Sequence, residues 1–250
     1  MSLYYFLFLP ALLTTIEAIY SLHKKDNIYS IRGTLGAFAH DVWIRILLEY
    51  IKPIILSYIL LLYTSKNSYN DLTLLSIIYC FIVLDFLNYV YHKMCHSFEF
   101  MWMVHYSHHG DSKFNISTPF RNSLIHRSVS FFIIGIILVM MGFGEKTILL
   151  CFIISNIYQL ICHSQYIKIP KIFEKVLITP RTHKIHHSIQ EIHQQKNMGS
   201  VFSVWDKLFG SYIEKIDKFE AGIKNYHQDN FIKIETDPIL QYLKNKTPKH

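Results

Sequence analysis

The chain has 250 residues, 51% hydrophobic and 17% charged, with a mean hydropathy of +0.21. This balance is too apolar for an ordinary soluble domain and points to an all-α, integral-membrane helical bundle. Lys and Arg outnumber Asp and Glu by 25 to 18, a formal charge of +7. These cations are scattered through loops and tail, which argues against nucleic-acid binding and leaves an anionic membrane surface as their natural partner.

Residues 3–20 form an apolar run with no basic leader and no small-residue cleavage site, so it reads as a retained anchor interrupted by Glu17. Further membrane segments are expected over residues 47–63, 72–91, 128–141 and 147–162. The last two are short for independent spans and, joined by Gly142-Phe143-Gly144-Glu145, read as a tight helical hairpin. Four to five segments in total give a small bundle in one domain, 1–250, with core motifs over 85–212 and a loosely attached tail over 216–250. Thr118-Pro119 and Thr179-Pro180 read as helix starts, with Thr as N-cap and Pro at the first helical position. Cys80, Cys95, Cys151 and Cys162 show no CxxC pairing and read as reduced packing residues.

Basic-residue asymmetry assigns Lys24, Lys25, Arg32, residues 92–127 and everything after Lys168 to the cytosolic side, leaving Lys66 and Lys146 opposite. Nine histidines fall on that same side: His92 and His96 in YHKMCH, His105, His108 and His109 in HYSHH, His163 in ICHSQ, and His183, His186 and His187 in HKIHH. Spacings of three and four align side chains on a helix face, so each cluster presents convergent nitrogens. Nine imidazoles exceed the need of a single ion and favour a polynuclear metal site in a cytosolic cap. Behind them, Asp85 and Asn88 share the face of His92, and Asn156 and Gln159 that of His163; each is a candidate acceptor for a ring N–H. His23, His40, His193, His227 and His250 lack partners at helical spacing and read as surface or loop residues, with His126 a minor candidate. Trp102, Trp205 and Asp206 read as packing residues and interfacial anchors.

Imidazole donors suit iron, zinc, copper or nickel. Two irons would permit dioxygen chemistry on a C–H bond, whereas the absence of HExxH argues against a zinc peptidase. A histidine-rich metal transporter or a haem protein is the competing class; a transporter would place its ligands near the bilayer midplane.

The motifs DFLNYVYHKMCH, MWMVHYSHHGDSKFNISTPFR, ICHSQ, TPRTHKIHH and KNMGSVFSVWDKLFGSY, in this order over 85–212, resemble the fatty acid hydroxylase and sterol desaturase superfamily of membrane non-haem di-iron enzymes. HHGDSKFNISTPFRNS is similar to the alkylglycerol monooxygenase branch, from which the chain departs at Ser97, where that branch has Glu. Met198 stands where the superfamily usually has Tyr. The resemblance implies that the nine histidines hold two iron ions, for which zinc can substitute on purification. It also implies a membrane lipid substrate (ether lipid, sterol or fatty acyl chain), dioxygen as co-substrate, and hydroxylation or desaturation as the reaction. Electrons would come from tetrahydrobiopterin or from a cytosolic cytochrome b-type or ferredoxin donor.

Overall fold

The computed structural model describes residues 3–63, 72–216, 219–224, 226 and 231–246; Lys66, His227 and His250 lie outside them. Among the described residues ten α-helices run in the order α1 (Leu3–Lys24), α2 (Ile31–Tyr63), α3 (Leu74–Ser97), α4 (Glu99–His109), α5 (Leu124–Met140), α6 (Glu145–Cys162), α7 (Pro180–His186), α8 (Glu191–Gln194), α9 (Val204–Leu208) and α10 (Phe231–Lys246). No β-strand occurs among the described residues; two isolated bridges, Leu177 with Phe202 and Ser188 with Ala221, tie loops together.

Among the described residues two helices, α3 and α6, are long and apolar enough to cross a membrane, and α5 is apolar but shorter, at 17 residues. These three pack around a core of Cys80, Leu84, Ile134, Leu138, Phe143, Cys151 and Phe152. The α5–α6 hairpin closes through Gly142, whose φ of 91° is a left-handed conformation that a residue with a Cβ rarely adopts. Because α5 runs back between them, α3 and α6 point the same way. His92 and His96 at the end of α3 and His163 at the end of α6 therefore share one end of the bundle.

Helix α1 is amphipathic in the reverse of the aqueous sense. Thr14, Glu17 and Ser21 recur at helical spacing and are buried, while Phe8, Leu12, Ile16, Ile19 and Leu22 face outward. Water would oppose that arrangement; hydrocarbon surroundings favour it, because apolar side chains cost nothing there and polar ones must find partners inside. Glu17 is thus an internal hub, not an interruption. Helix α2 starts well before the expected 47, because Ala37, His40, Asp41, Ile44 and Leu48 form a buried stripe at three- and four-residue spacing.

The structure corrects further expectations. Thr118-Pro119 opens only a 3₁₀ turn (Thr118–Arg121) after Ser117, and α5 takes its cap from Ser123, which accepts from His126 N at 3.1 Å. Thr179-Pro180 does start α7, with Thr179 and Thr182 forming a reciprocal capping pair. The stretch from 216 is not a loose tail where described: Ser107 Oγ donates to Ile234 O at 2.6 Å, Leu124 N donates to Glu235 at 2.6 Å, and Ile234 is buried. His40, expected at the surface, is fully buried and paired with Glu235 at 2.8 Å, whereas His23 is exposed and His193 half-buried near Ser188. All four cysteines are free and buried.

Candidate metal centre

The chain breaks at Phe98 (φ −116°, ψ 126°), and α4 folds back against the end of α3. His105 and His109 thereby meet His92 and His96, and His186 of α7 completes a five-imidazole group. His108, His163, His183 and His187 form a four-imidazole group; within each group the ligand atoms lie within 4.8 Å of one another. Consecutive residues on a helix diverge by about 100°. That divergence is why each HH pair is split, His108 from His109 and His187 from His186, so that α4 and α7 serve both groups. The groups adjoin through His109 and His187, whose rings stack at 4.4 Å.

Three rings have fixed orientations. His92 Nδ1 faces Met198 O at 2.7 Å, His186 Nδ1 faces Lys196 O at 2.9 Å and His163 Nδ1 faces Gln159 O at 2.6 Å. A carbonyl only accepts, so each Nδ1 carries the proton and each Nε2 presents a lone pair. Yet His92 and His186 Nε2 are 3.0 Å apart. Two lone pairs at that distance repel unless a cation lies between them. A proton is a poor solution, since burial, aided by neighbouring rings, holds His186 and likewise His105, His108, His109, His183 and His187 well below the ordinary imidazole range. His163 is lowered to about 4, chiefly by burial. Further ring nitrogens of His96, His105, His108, His109 and His183 are buried without hydrogen-bond partners. Neutral, convergent and unsatisfied imidazoles are the donor set a transition-metal ion takes.

Walls complete the site. The fully buried Phe114 ring covers His163 and His187 at 5.4 and 4.9 Å; Trp102 lies 5.0 and 5.3 Å from His96 and His109. His126 stacks on His105 at 4.6 Å, outside both groups.

The four residues expected behind the ligands act differently. Asp85 accepts from Val201 N (2.8 Å), Phe202 N (3.1 Å) and Trp205 Nε1 (2.8 Å), not from a histidine; its carboxylate fixes the loop that carries the Met198 carbonyl. Asp206 holds the same loop by accepting from Met198 N and Gly199 N. Gln159 supports His163 through its backbone carbonyl, while its side chain donates to Ser200 O. Asn156 is exposed and bonds Phe152 O of its own helix, and Asn88 has no hydrogen bond to a histidine among the described residues. For both His92 and His163 a backbone carbonyl takes the Nδ1 position for which helical spacing nominates a side chain. Sequence reasoning missed Phe114, the Met198 and Lys196 carbonyls, and Glu17 as support for the site; of these only Glu17, a carboxylate in an apolar run, carried a signal.

Fold and site together define a class: an all-helical protein with apolar helices long enough for a membrane and a buried, all-imidazole site suited to metal ions. The family model for fatty acid hydroxylase matches residues 77–211, and the chain belongs to that family. Curated proteins to which the chain is similar include alkylglycerol monooxygenases. The human alkylglycerol monooxygenase is 29% identical over 143 residues, 57% of this chain and 32% of that protein; the Caenorhabditis elegans enzyme is 31% identical over 144 residues, 54% and 26% respectively. The Danio rerio enzyme is 25% identical over 143 residues, again 57% and 32%. The matched stretch thus spans about a third or less of these relatives. No solved structure matches.

Proposed function

We propose that this protein is a membrane-bound, dioxygen-dependent lipid hydroxylase whose nine histidines hold two iron ions, with an ether lipid as the favoured substrate. The observation that carries the reading is the pairing of a five- and a four-imidazole group at the shared end of α3 and α6. Ligands gathered at helix ends, and not at mid-span, favour an oxygenase over the transporter alternative.

Iron bound there would supply the dioxygen chemistry that amino-acid side chains cannot. The chain's own contribution is geometric. His92, His163 and His186, anchored through Nδ1, hold their Nε2 lone pairs inward. Phe114 and Trp102 exclude water from opposite groups, and the apolar surfaces of α3, α5 and α6 lead a lipid chain toward the same end. The basic-residue asymmetry gives this end to the cytosol, where a pterin, cytochrome b-type or ferredoxin donor would deliver electrons.

The similarity to alkylglycerol monooxygenases supports hydroxylation beside an ether oxygen. The test supplies membranes containing this protein with an alkylglycerol, a reductant and isotopically heavy dioxygen. Label in the oxidised lipid, lost on His108→Ala, is the expected result. Dehydrogenated product without label would replace hydroxylation by desaturation, and lipid turnover without oxygen consumption would end the proposal.

A further inference from the structure

A second surface, away from the imidazoles, combines exposed apolar side chains with lysines. The 3₁₀ turn Lys171–Lys175 and helix α9 lie side by side: Ser203 N donates to Val176 O at 2.8 Å, and Lys207 Nζ donates to Glu174 O and Lys175 O at 2.6 and 2.7 Å. Between them they expose Ile172, Phe173, Val176, Val204, Leu208 and Phe209. Leu208 is 68% exposed, and a contiguous outward set of this kind is uncommon on a surface that meets only water. The ammonium groups of Lys168 and Lys175 have no partner among the described residues; Lys171 pairs with Glu214, an acid also within 3.8 Å of Arg181.

This shelf continues the outward stripe of α3. Leu75, Tyr79, Ile82 and Val90 are exposed at helical spacing along that helix, and Phe86 lies on the same stripe. The shelf seats on its upper part: Trp205 packs on Phe86 at 4.9 Å, Phe209 stacks on Tyr89 at 5.5 Å, and Lys93 lies 5.4 Å from the Phe209 ring. At 1.5 Å per residue, Phe86 and Lys93 are about 18 and 28 Å from the start of α3, against a hydrocarbon thickness of about 30 Å. Lys93, with the Phe209 ring beside it, thus stands near the level at which a headgroup layer begins, and Phe86 lies about 10 Å deeper in the acyl region.

We infer that the Lys171–Lys175 turn and α9 form an interfacial shelf that lies in the headgroup layer of the bilayer holding α3, with Lys168 and Lys175 contacting anionic phospholipid. Its apolar side chains enter the acyl boundary, and its cations meet lipid phosphates. The imidazole groups are thereby held at a fixed height, because Asp85 and Asp206 join α9 and its preceding loop to the Met198 carbonyl that orients His92. The inference rests on the membrane reading of α3.

The experiment is spin labelling of the full chain in lipid nanodiscs, with Ile172→Cys on the shelf and Ile82→Cys on α3 as separate variants; the native cysteines are buried, and the unsubstituted chain gives the background. Collision with dissolved oxygen is compared with collision with a water-soluble nickel chelate. The expected result is greater oxygen than nickel access at both positions, with the shelf label deeper in phosphatidylglycerol than in phosphatidylcholine, a difference that Lys168→Glu with Lys175→Glu erases. Nickel access at 172 with oxygen access at 82 overturns the shelf and leaves the membrane reading standing; nickel access at both overturns the membrane reading as well. Shielding of the 172 label from both reagents would assign the surface to a protein partner and also overturn the inference.

Discussion

Glu17 of α1 accepts a hydrogen bond at 2.6 Å from Ser164 Oγ, one residue beyond His163. The same carboxylate accepts from Gln165 N (3.0 Å), Tyr29 OH (2.5 Å) and Ile116 N (2.9 Å), the last two residues beyond the Phe114 that covers the four-imidazole group. One buried side chain thus ties three distant segments to that group. Glu17→Gln turns an acceptor oxygen into an amide facing two donors, at roughly 1–3 kcal/mol for each donor left unsatisfied. It should lower the melting temperature and reduce the metal retained by the four-imidazole group before that of the five-imidazole group, read by metal analysis beside melting curves. Unchanged metal content and melting would remove Glu17 from this role.

Asp85 supports the other group through a loop. Replacing it by Ala leaves three donors without an acceptor, so Asp85→Ala should destabilise by about 3 kcal/mol or more, while Trp205→Phe, which removes one donor and leaves the carboxylate its backbone partners, should cost about 1 kcal/mol. Denaturant titration in detergent compares them. Equal costs would mean that the loop is held by Trp205 packing and not by the carboxylate.

A Cβ added at Gly199 would stand 2.4 Å from Phe202 O and 3.0 Å from Asp206 Oδ2. Backbone cannot yield as a flexible side chain can, so Gly199→Ala should open the loop that presents the Met198 carbonyl to His92. Weakened metal retention by the five-imidazole group is the outcome to look for. An alanine variant with normal stability and metal content would show that the loop accommodates the methyl group without moving His92.

The buried imidazoles also set the pH response of the metal-free protein. The unfolded chain takes up protons as pH falls through about 6.5, whereas folded His163 resists until about 4. With the folded value depressed, the unfolded state binds more protons across that interval. Stability is therefore greatest above about 6.5 and declines as pH falls toward 4. Melting temperatures of the metal-free protein should drop steadily over this window; a flat profile would contradict the neutral, buried state assigned to these rings.

Much of this architecture was legible locally. Three- and four-residue histidine spacings, the Gly142–Glu145 turn and the Thr179-Pro180 start each depend on neighbours in sequence, where helical periodicity is a reliable guide. What escaped is long-range: the contact of Glu17 with Ser164 bridges 147 residues, and His40 with Glu235 bridges 195. The acceptors behind His92 and His186 are backbone carbonyls, which every residue has and no side-chain pattern marks. Helical spacing nominates Asp85 as an acceptor for a ring N–H of His92, but its partners are backbone and indole N–H groups of a loop more than 100 residues away.

The proposed function assigns one iron ion to each of the two adjoining imidazole groups. Iron analysis of protein purified without oxygen tests it most directly, on the unsubstituted chain, on His92→Ala with His96→Ala, and on His183→Ala with His187→Ala. Two irons per chain are expected in the first and one in each double variant, with both variants remaining folded by helical content. One iron or none in the unsubstituted chain, or iron content indifferent to either pair of substitutions, would contradict it.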